Sequence, residues 1–247
     1  MNIALIGYGN MGKEIEDIAR QSGAHDIVSI SCTHADESLD KAGITRADVA
    51  IDFTSPEVVM HNIREVAALG VPLVVGTTGW YEHMDEVKQI IETSKTGLVY
   101  GQNFSVGANI FFQIVAFSSR LFAQFQSYDV FAQEVHHAGK KDSPSGTARK
   151  LADIVLANFP AKQTLQDTKV DRQIRKDELH FSSVRGGRNR GRHEITFDSE
   201  ADQITLTHQA HGRRGFAEGA LVAAKFIKGK KGVYSFDDIF SNNGTSV

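Results

Sequence analysis

A single cysteine, Cys32, stands among 247 residues and can form no internal bridge, so a disulfide-stapled fold is excluded. Proline is nearly as scarce, at four, which with a hydrophobic content of 41% excludes collagen-like and disordered chains. No charge of one sign dominates. The 27 Lys and Arg face 30 Asp and Glu, a formal charge of −3, and this balance argues against a general nucleic-acid binder. Long apolar runs are missing too: Asn109 to Phe125, the most apolar stretch, is broken by Gln113, Ser118, Ser119, Arg120 and Gln124. A bilayer core would penalise these polar groups heavily, so no membrane span is expected. Met1 leads into a core-like strand without a basic segment and apolar signal core, and the cytoplasm is the expected location.

What is present is a regular alternation. Asn2 to Ile6, Asp26 to Ser31, Asp48 to Phe53, Val71 to Val75 and Leu98 to Tyr100 read as short β-branched strands suited to a parallel sheet buried on both faces. Between them, Met11 to Gln21, Glu57 to Leu69 and Tyr81 to Thr93 carry apolar residues at helical spacing. This βα repeat predicts an α/β fold with a Rossmann-type doubly wound dinucleotide-binding domain. After Gly101 the pattern changes to a long helix over Ala108 to Phe125, a strand over Asp129 to Val135 and a helix over Thr147 to Phe159. Three strands follow, over Glu178 to Val184, His193 to Phe197 and Gln203 to Thr207, so a smaller α+β domain with a mixed sheet is expected. An Ala-rich helix over Phe216 to Ile227 is expected to return to the first domain, with Val233 to Phe240 as a tail. The division is thus 1–105 with 214–247 for the dinucleotide, and 106–213 for substrate binding and oligomerisation.

Gly7, Tyr8, Gly9, Asn10, Met11 and Gly12 sit between the first strand and the first helix, where a dinucleotide fingerprint belongs. Gly7 permits the tight turn, Gly9 lets backbone approach a pyrophosphate, and Gly12 lets the helix lie against the sheet. The same three glycines also suit an ordinary strand-to-helix turn. Two further loops, Asp52 to Glu57 and Gly76-Thr77-Thr78-Gly79, follow later strands along the edge where open α/β sheets bind ligands.

The second domain concentrates its chemistry in one stretch. Glu134, His136, His137, Lys140, Asp142, Ser143, Pro144, Ser145, Gly146 and Thr147 precede a helix, and their cationic donors and helix-start N–H groups suit a carboxylate or phosphate. His and Lys also offer protons whose affinity burial can tune. The alternatives are core histidines, a solvated Lys pair or metal ligands. Metal is disfavoured because adjacent histidines at a strand end point to opposite faces. Arg185, Arg188, Arg190 and Arg192 form a Gly-interrupted loop without aromatic residues, which reads as solvated, as a subunit contact or as distant help in attracting an acidic substrate.

The ordered set of Asp52-Phe53-Thr54, Gly76-Thr77-Thr78-Gly79, Asn103-Phe104-Ser105-Val106-Gly107 and the Glu134 to Thr147 loop resembles the dihydrodipicolinate reductase family through most of the chain. One departure is Asn10, where that family often carries Arg before the Met. The resemblance implies a tetrameric enzyme of lysine and diaminopimelate biosynthesis. Such an enzyme reduces a small cyclic dicarboxylate, 4-hydroxy-tetrahydrodipicolinate, with NADPH or NADH and loss of water. It further implies that Gly7 to Gly12, Gly76, Thr77, Thr78, Gly101, Gln102, Asn103 and Phe104 bind the dinucleotide. His136 and Lys140 would handle protons, and His137, Ser145, Gly146 and Thr147 would bind substrate; no metal is implied. At the end of the second strand, Ser31-Cys32-Thr33-His34 lacks the acid that would repel a 2′-phosphate, and none follows until Asp36. Ser31, Thr33 and His34 can each donate a hydrogen bond to the oxygens of that phosphate, so Thr33 and His34 are expected in the coenzyme site, with NADPH used at least as well as NADH. Two other readings stay open: an amino-acid dehydrogenase of the aspartate dehydrogenase type, and a non-catalytic NAD(P)-sensing regulator.

Overall fold

The structure is a computed structural model that describes residues 1–31 and 38–241. Along the chain run β1 (Asn2–Ile6), α1 (Asn10–Ser22), β2 (Asp26–Ser31), α2 (Lys41–Ile44), β3 (Val49–Asp52), α3 (Pro56–Ala68) and β4 (Leu73–Val75). Next come α4 (Met84–Ser94), β5 (Gly97–Tyr100), α5 (Val106–Phe122), β6 (Asp129–His136), α6 (Gly146–Asn158) and β7 (Thr164–Gln166). The chain continues through β8 (Glu178–Arg185), β9 (Arg192–Asp198), β10 (Gln203–Gln209), α7 (Arg214–Ile227), β11 (Gly232–Ser235) and α8 (Asp238–Ser241). It divides into two compact units, residues 1–109 with those from Arg213 onward, and Ile110–Gly212.

The first unit is a six-stranded sheet in the order β11-β5-β4-β3-β1-β2, with every pairing parallel. The inner strands β1, β3, β4 and β5 are mainly apolar because both faces are covered, whereas the edge strands β2 and β11 admit Asp26, Ser29, Ser31 and Ser235. Ile3 and Leu5 pack towards α1 and α7 with Ile15, Ala217, Ala220 and Ala224, whereas Ala4 and Ile6 pack on the other side with Val59, Ile63 and Val66. Burying each of the larger side chains stabilises the fold by about 1.5–3 kcal/mol. The alanines of α7 let that helix approach closely, and it lies on β3, β4 and β5 of this unit. The strand order turns back at β1, which places the Gly7 turn in the crevice at the carboxyl edge.

Val233 to Phe240 is not a tail: Gly232–Ser235 pairs with β5 as the edge strand of the sheet, and α8 follows. Four half-buried residues are too few to show a period. The short α2 and β7 are hidden in the sequence for the same reason.

The second unit is a mixed sheet in the order β10-β9-β6-β8-β7. β9 runs antiparallel to β6 and β10, while β8 runs parallel to β6 and β7. Along β6 buried and open residues alternate, and Val130, Ala132, Glu134 and His136 form the buried face. The register then fixes their neighbours: Glu134 stands opposite Ser183 on one side and His193 on the other, and His136 opposite Arg185. Five polar residues scattered over some sixty positions of sequence thus share one side of the sheet.

Candidate active site

In the first unit the three glycines of the first turn differ in what surrounds them. Gly7 has φ +89°, and a Cβ there would lie 2.3 Å from the Phe53 carbonyl oxygen. At Gly12 a Cβ would meet the Gly7 oxygen at 2.4 Å, so only glycine lets α1 start so close to β1. Gly9 is the N-cap of α1, and no side chain caps that helix. A Cβ at Gly9 would touch nothing within 4 Å. Space and outward N–H groups at a 13-residue helix start are what a pyrophosphate needs. Asn10 is exposed, while Tyr8 and Met11 are half-buried; the Tyr8 hydroxyl donates to Glu16, which also pairs with Arg20.

The later loops of the same edge are built tightly. The Thr77 side chain is buried, and its hydroxyl donates to Asp52 Oδ1 at 2.8 Å. The Trp80 ring N–H donates to the Thr77 carbonyl at 2.8 Å, and Thr78 is exposed. Gly101 faces Phe236 and Phe104, Gln102 is exposed, and Asn103 Oδ1 accepts the Ser105 N–H at 2.9 Å. Phe104 is buried between Phe53 and Phe236 and packs under Gly219 of α7, so it is part of the core as much as of the edge. Thr33 and His34, together with Cys32 and Asp36, lie outside the described residues.

In the second unit the hub is Glu134, which is fully buried. Its Oε1 accepts three bonds of 2.8 Å, from the Ser145 N–H, the Ser183 hydroxyl and the Arg185 guanidinium. Its Oε2 lies 2.8 Å from His136 Nδ1 and 3.6 Å from His193 Nε2, off the line of a hydrogen bond in both cases. Burial pushes the carboxyl up, but the bonds from Ser145, Arg185 and Ser183 outweigh it and hold the group at about 2. Glu134 is therefore a fixed anion. The same guanidinium donates to the Asp142 carbonyl at 2.7 Å, which ties the 137–145 loop to the sheet.

The expected site residues take different places on this hub. His136 is buried, and burial lowers its proton affinity, with Lys140 and Arg185 adding to the effect against the pull of Glu134. His137 is exposed, as opposite strand faces require. Lys140 Nζ lies 2.8 Å from Asp142 Oδ1, its side chain about one quarter exposed (24%). Ser145 is the N-cap of α6: its hydroxyl accepts the Ala148 N–H at 3.2 Å and meets His193 Nε2 at 3.2 Å. Its polar groups are thus spent inside the protein, while Gly146 and Thr147 form the helix start itself.

Two participants escape a reading of the sequence. Arg185 does not belong to the solvated loop; its side chain lies on Glu134, whereas Arg188 and Arg190 are exposed. His193 reaches the cluster only through the register of β6 and β9, and no local spacing announces it. Period-two alternation from Glu134 flags only His136. Glu134, His136 and His193 bring possible ligand atoms within 4.8 Å of one another, but the Arg185 cation already occupies the carboxylate.

Residues 1–104 match the family model of the dihydrodipicolinate reductase N-terminus, and residues 107–240 match that of its C-terminus. The chain belongs to this family. The 4-hydroxy-tetrahydrodipicolinate reductase of Christiangramia forsetii is 35% identical over 98% of both chains. That of Methanocaldococcus jannaschii is 34% identical over 95% of this chain and 85% of its own. A dipicolinate-bound dihydrodipicolinate reductase from Paenisporosarcina sp. TG-14 shares the fold with a TM-score of 0.78, covering 97% of this chain and 99% of its own at 24% identity.

The dihydrodipicolinate reductase cluster predicts its own acid sensitivity. Burial, aided by His136, holds His193 at about 4 against the pull of Glu134. This lies below the ordinary 6.5, so the unfolded chain takes up the proton first on acidification. Stability is full above pH 6.5 and is lost as the pH falls towards 4, by up to about 3 kcal/mol. Glu134 acts lower, its contribution being lost between 4.5 and about 2. Urea unfolding of the wild type should show a marked loss between pH 6.5 and 4.5, and His193→Asn a shallower one. Equal slopes would remove His193 as the source.

Proposed function

We propose that this chain, an oxidoreductase of lysine biosynthesis, reduces 4-hydroxy-tetrahydrodipicolinate with NADPH or NADH, the substrate's hydroxyl leaving as water. The observation that carries this reading is the fastening of the Lys140 to Thr147 loop onto the buried Glu134 anion through Ser145 and Arg185. The coenzyme supplies the hydride when bound. Gly7, Gly9 and Gly12 leave room for its pyrophosphate at the start of α1, and the loops at Gly76 to Thr78 and Gly101 to Phe104 complete that edge.

Gly146 and Thr147 open the 13-residue α6, whose first-turn N–H groups and dipole favour a carboxylate, with His137 and the Lys140 ammonium adding donors. The dipicolinate of the Paenisporosarcina enzyme is a ligand of that class. Hydride addition to a conjugated carbon–nitrogen system leaves electron density that must take a proton, and Lys140 is the donor proposed for it. Asp142 holds that ammonium in place. His136, neutral through burial, completes the proton-handling pair.

The test follows the absorbance of reduced nicotinamide with the product of the pathway's preceding synthase as substrate. Turnover is expected with that compound and not with open-chain amino acids. Oxidation of an amino acid alone would replace this reading with the dehydrogenase one.

A homotetramer is proposed with it. The face of the second sheet opposite Glu134 leaves Phe131 and Val184 exposed at 39% and 47%, and α5 presents Ile110, Ile114, Phe117 and Leu121 along one side. Phe131, Val135 and Val184 share this face with Gln133, Arg192, Glu194, Thr196, Thr205 and Thr207, and a face that mixes exposed apolar side chains with polar ones suits a second copy of the same sheet. Sedimentation should give a mass of about four chains, and Val184→Asp should lower it. A wild-type mass near one chain at micromolar concentration would end this proposal.

A further inference from the structure

At the carboxyl end of β3, Asp52 is fully buried and forms no ion pair among the described residues. Its carboxylate is surrounded by neutral donors instead. Oδ1 accepts the Thr54 N–H at 3.0 Å, the Thr54 hydroxyl at 2.7 Å and the Thr77 hydroxyl at 2.8 Å, while Oδ2 accepts the Asn62 amide at 2.8 Å. Burial raises the proton affinity of this group, and the bonds from Thr54, Asn62 and Thr77 work against that rise. They come from three places: the loop after β3, helix α3 and the loop after β4.

The two loops are joined twice more, by the Thr54 N–H to Thr77 Oγ1 at 2.8 Å and by the Gly76 N–H to the Asp52 carbonyl at 2.8 Å. Phe53, between them, blocks both neighbouring turns. A Cβ at Gly7 would meet its carbonyl oxygen at 2.3 Å, and a Cβ at Gly76 its ring at 2.1 Å. The segment Asp52 to Thr54 is thus wedged between the Gly7 turn and the Gly76 loop. A βα turn closes without a buried carboxyl group, and taking one out of water is expensive. That cost makes sense where two ligand-facing loops must be held in one arrangement.

We propose that Asp52 is the positioning residue of the coenzyme edge: its carboxylate, acting through Thr77 and Thr54, sets the Gly76 to Thr78 loop against the Gly7 turn. This rests on the reading of those loops as the coenzyme site. Asp52→Asn places an amide N–H₂ where N–H and O–H donors converge, and Thr77→Val removes one donor at constant shape. In the full-length protein, NADPH titration by coenzyme fluorescence should show Kd raised about tenfold or more in each. The double variant should be no weaker than Asp52→Asn alone, because both act through one bond. KM for NADPH should rise with Kd, and kcat at saturating NADPH should fall far less.

Gly9→Asp tests the coenzyme site separately, since a Cβ at Gly9 meets nothing within 4 Å and the added carboxylate intrudes where the pyrophosphate is proposed. If Gly9→Asp abolishes NADPH binding while Asp52→Asn melts lower with an unchanged Kd, Asp52 is merely structural and this proposal fails alone. If Gly9→Asp binds NADPH as the wild type does, the coenzyme reading and this proposal fall together. Additive losses in the double variant would also overturn it. Should Asp52→Asn not fold, Thr77→Val with its Kd unchanged is the overturning result.

Discussion

Replacing Lys140 by alanine is expected to lower kcat by about 10²- to 10⁴-fold while the Kd for NADPH stays within a few-fold. The ammonium is held at 2.8 Å by Asp142 in the second unit, and the loops assigned to the coenzyme belong to the first. Stability should change little. Asp142 is more than half exposed, so the carboxylate left behind is hydrated and an exposed pair of this kind contributes about 1 kcal/mol at most. Lys140→Arg sharpens the result, because arginine keeps the charge but cannot release a proton near neutral pH. If Lys140 donates the proton, Lys140→Arg should be nearly as poor as Lys140→Ala in kcat while restoring much of the KM for the dicarboxylate. Wild-type kcat in Lys140→Arg would leave Lys140 only an electrostatic role, and unchanged turnover in Lys140→Ala would remove it from the mechanism.

Much of this arrangement is legible in the amino-acid sequence, for reasons that are local. The strands β1, β3, β4 and β5 are short and mainly apolar, and Gly7, Gly9 and Gly12 mark a turn whose geometry tolerates nothing larger at the first and third positions. The loop from His136 to Thr147 is contiguous, so the spacing of its donors is visible directly. What escapes is non-local. Ser183, Arg185 and His193 meet Glu134 only because β8 runs parallel and β9 antiparallel to β6 in one particular register. A shift of one residue would send each side chain to the opposite face. Arg185 is also disguised by its neighbours, since Arg188, Arg190 and Arg192 in the same run do lie at the surface. Charge density along a sequence cannot tell which member of a run turns inward. The edge strand β11 escapes for the opposite reason, as it is brief and half-buried and takes its identity from pairing with β5.

Loss of the Arg185 guanidinium should have the largest effect on the fold of the second unit. Glu134 is fully buried, and Arg185 is the permanent cation upon it among the described residues, bonded to Oε1 at 2.8 Å. Arg185→Leu leaves that carboxylate with its charge and without its counter-charge, and breaking a buried pair from one side costs about 3–5 kcal/mol. Removing both charges is a different experiment. In Glu134→Gln with Arg185→Leu, the amide oxygen can still accept from Ser145 and Ser183, no charge is stranded, and most of the lost stability should return. Activity should not return with it. The same guanidinium donates to the Asp142 carbonyl at 2.7 Å, so both variants lose the fastening of the loop that carries Lys140, and misplacement of a reacting group by about 1 Å can cost on the order of 10² in rate. Urea unfolding and kcat/KM, measured on the wild type, both single variants and the double, separate the two roles. A double variant as unstable as Arg185→Leu would show that the ion pair is not what Glu134 needs. Restored turnover in the double variant would show that the Asp142 anchor does not position Lys140.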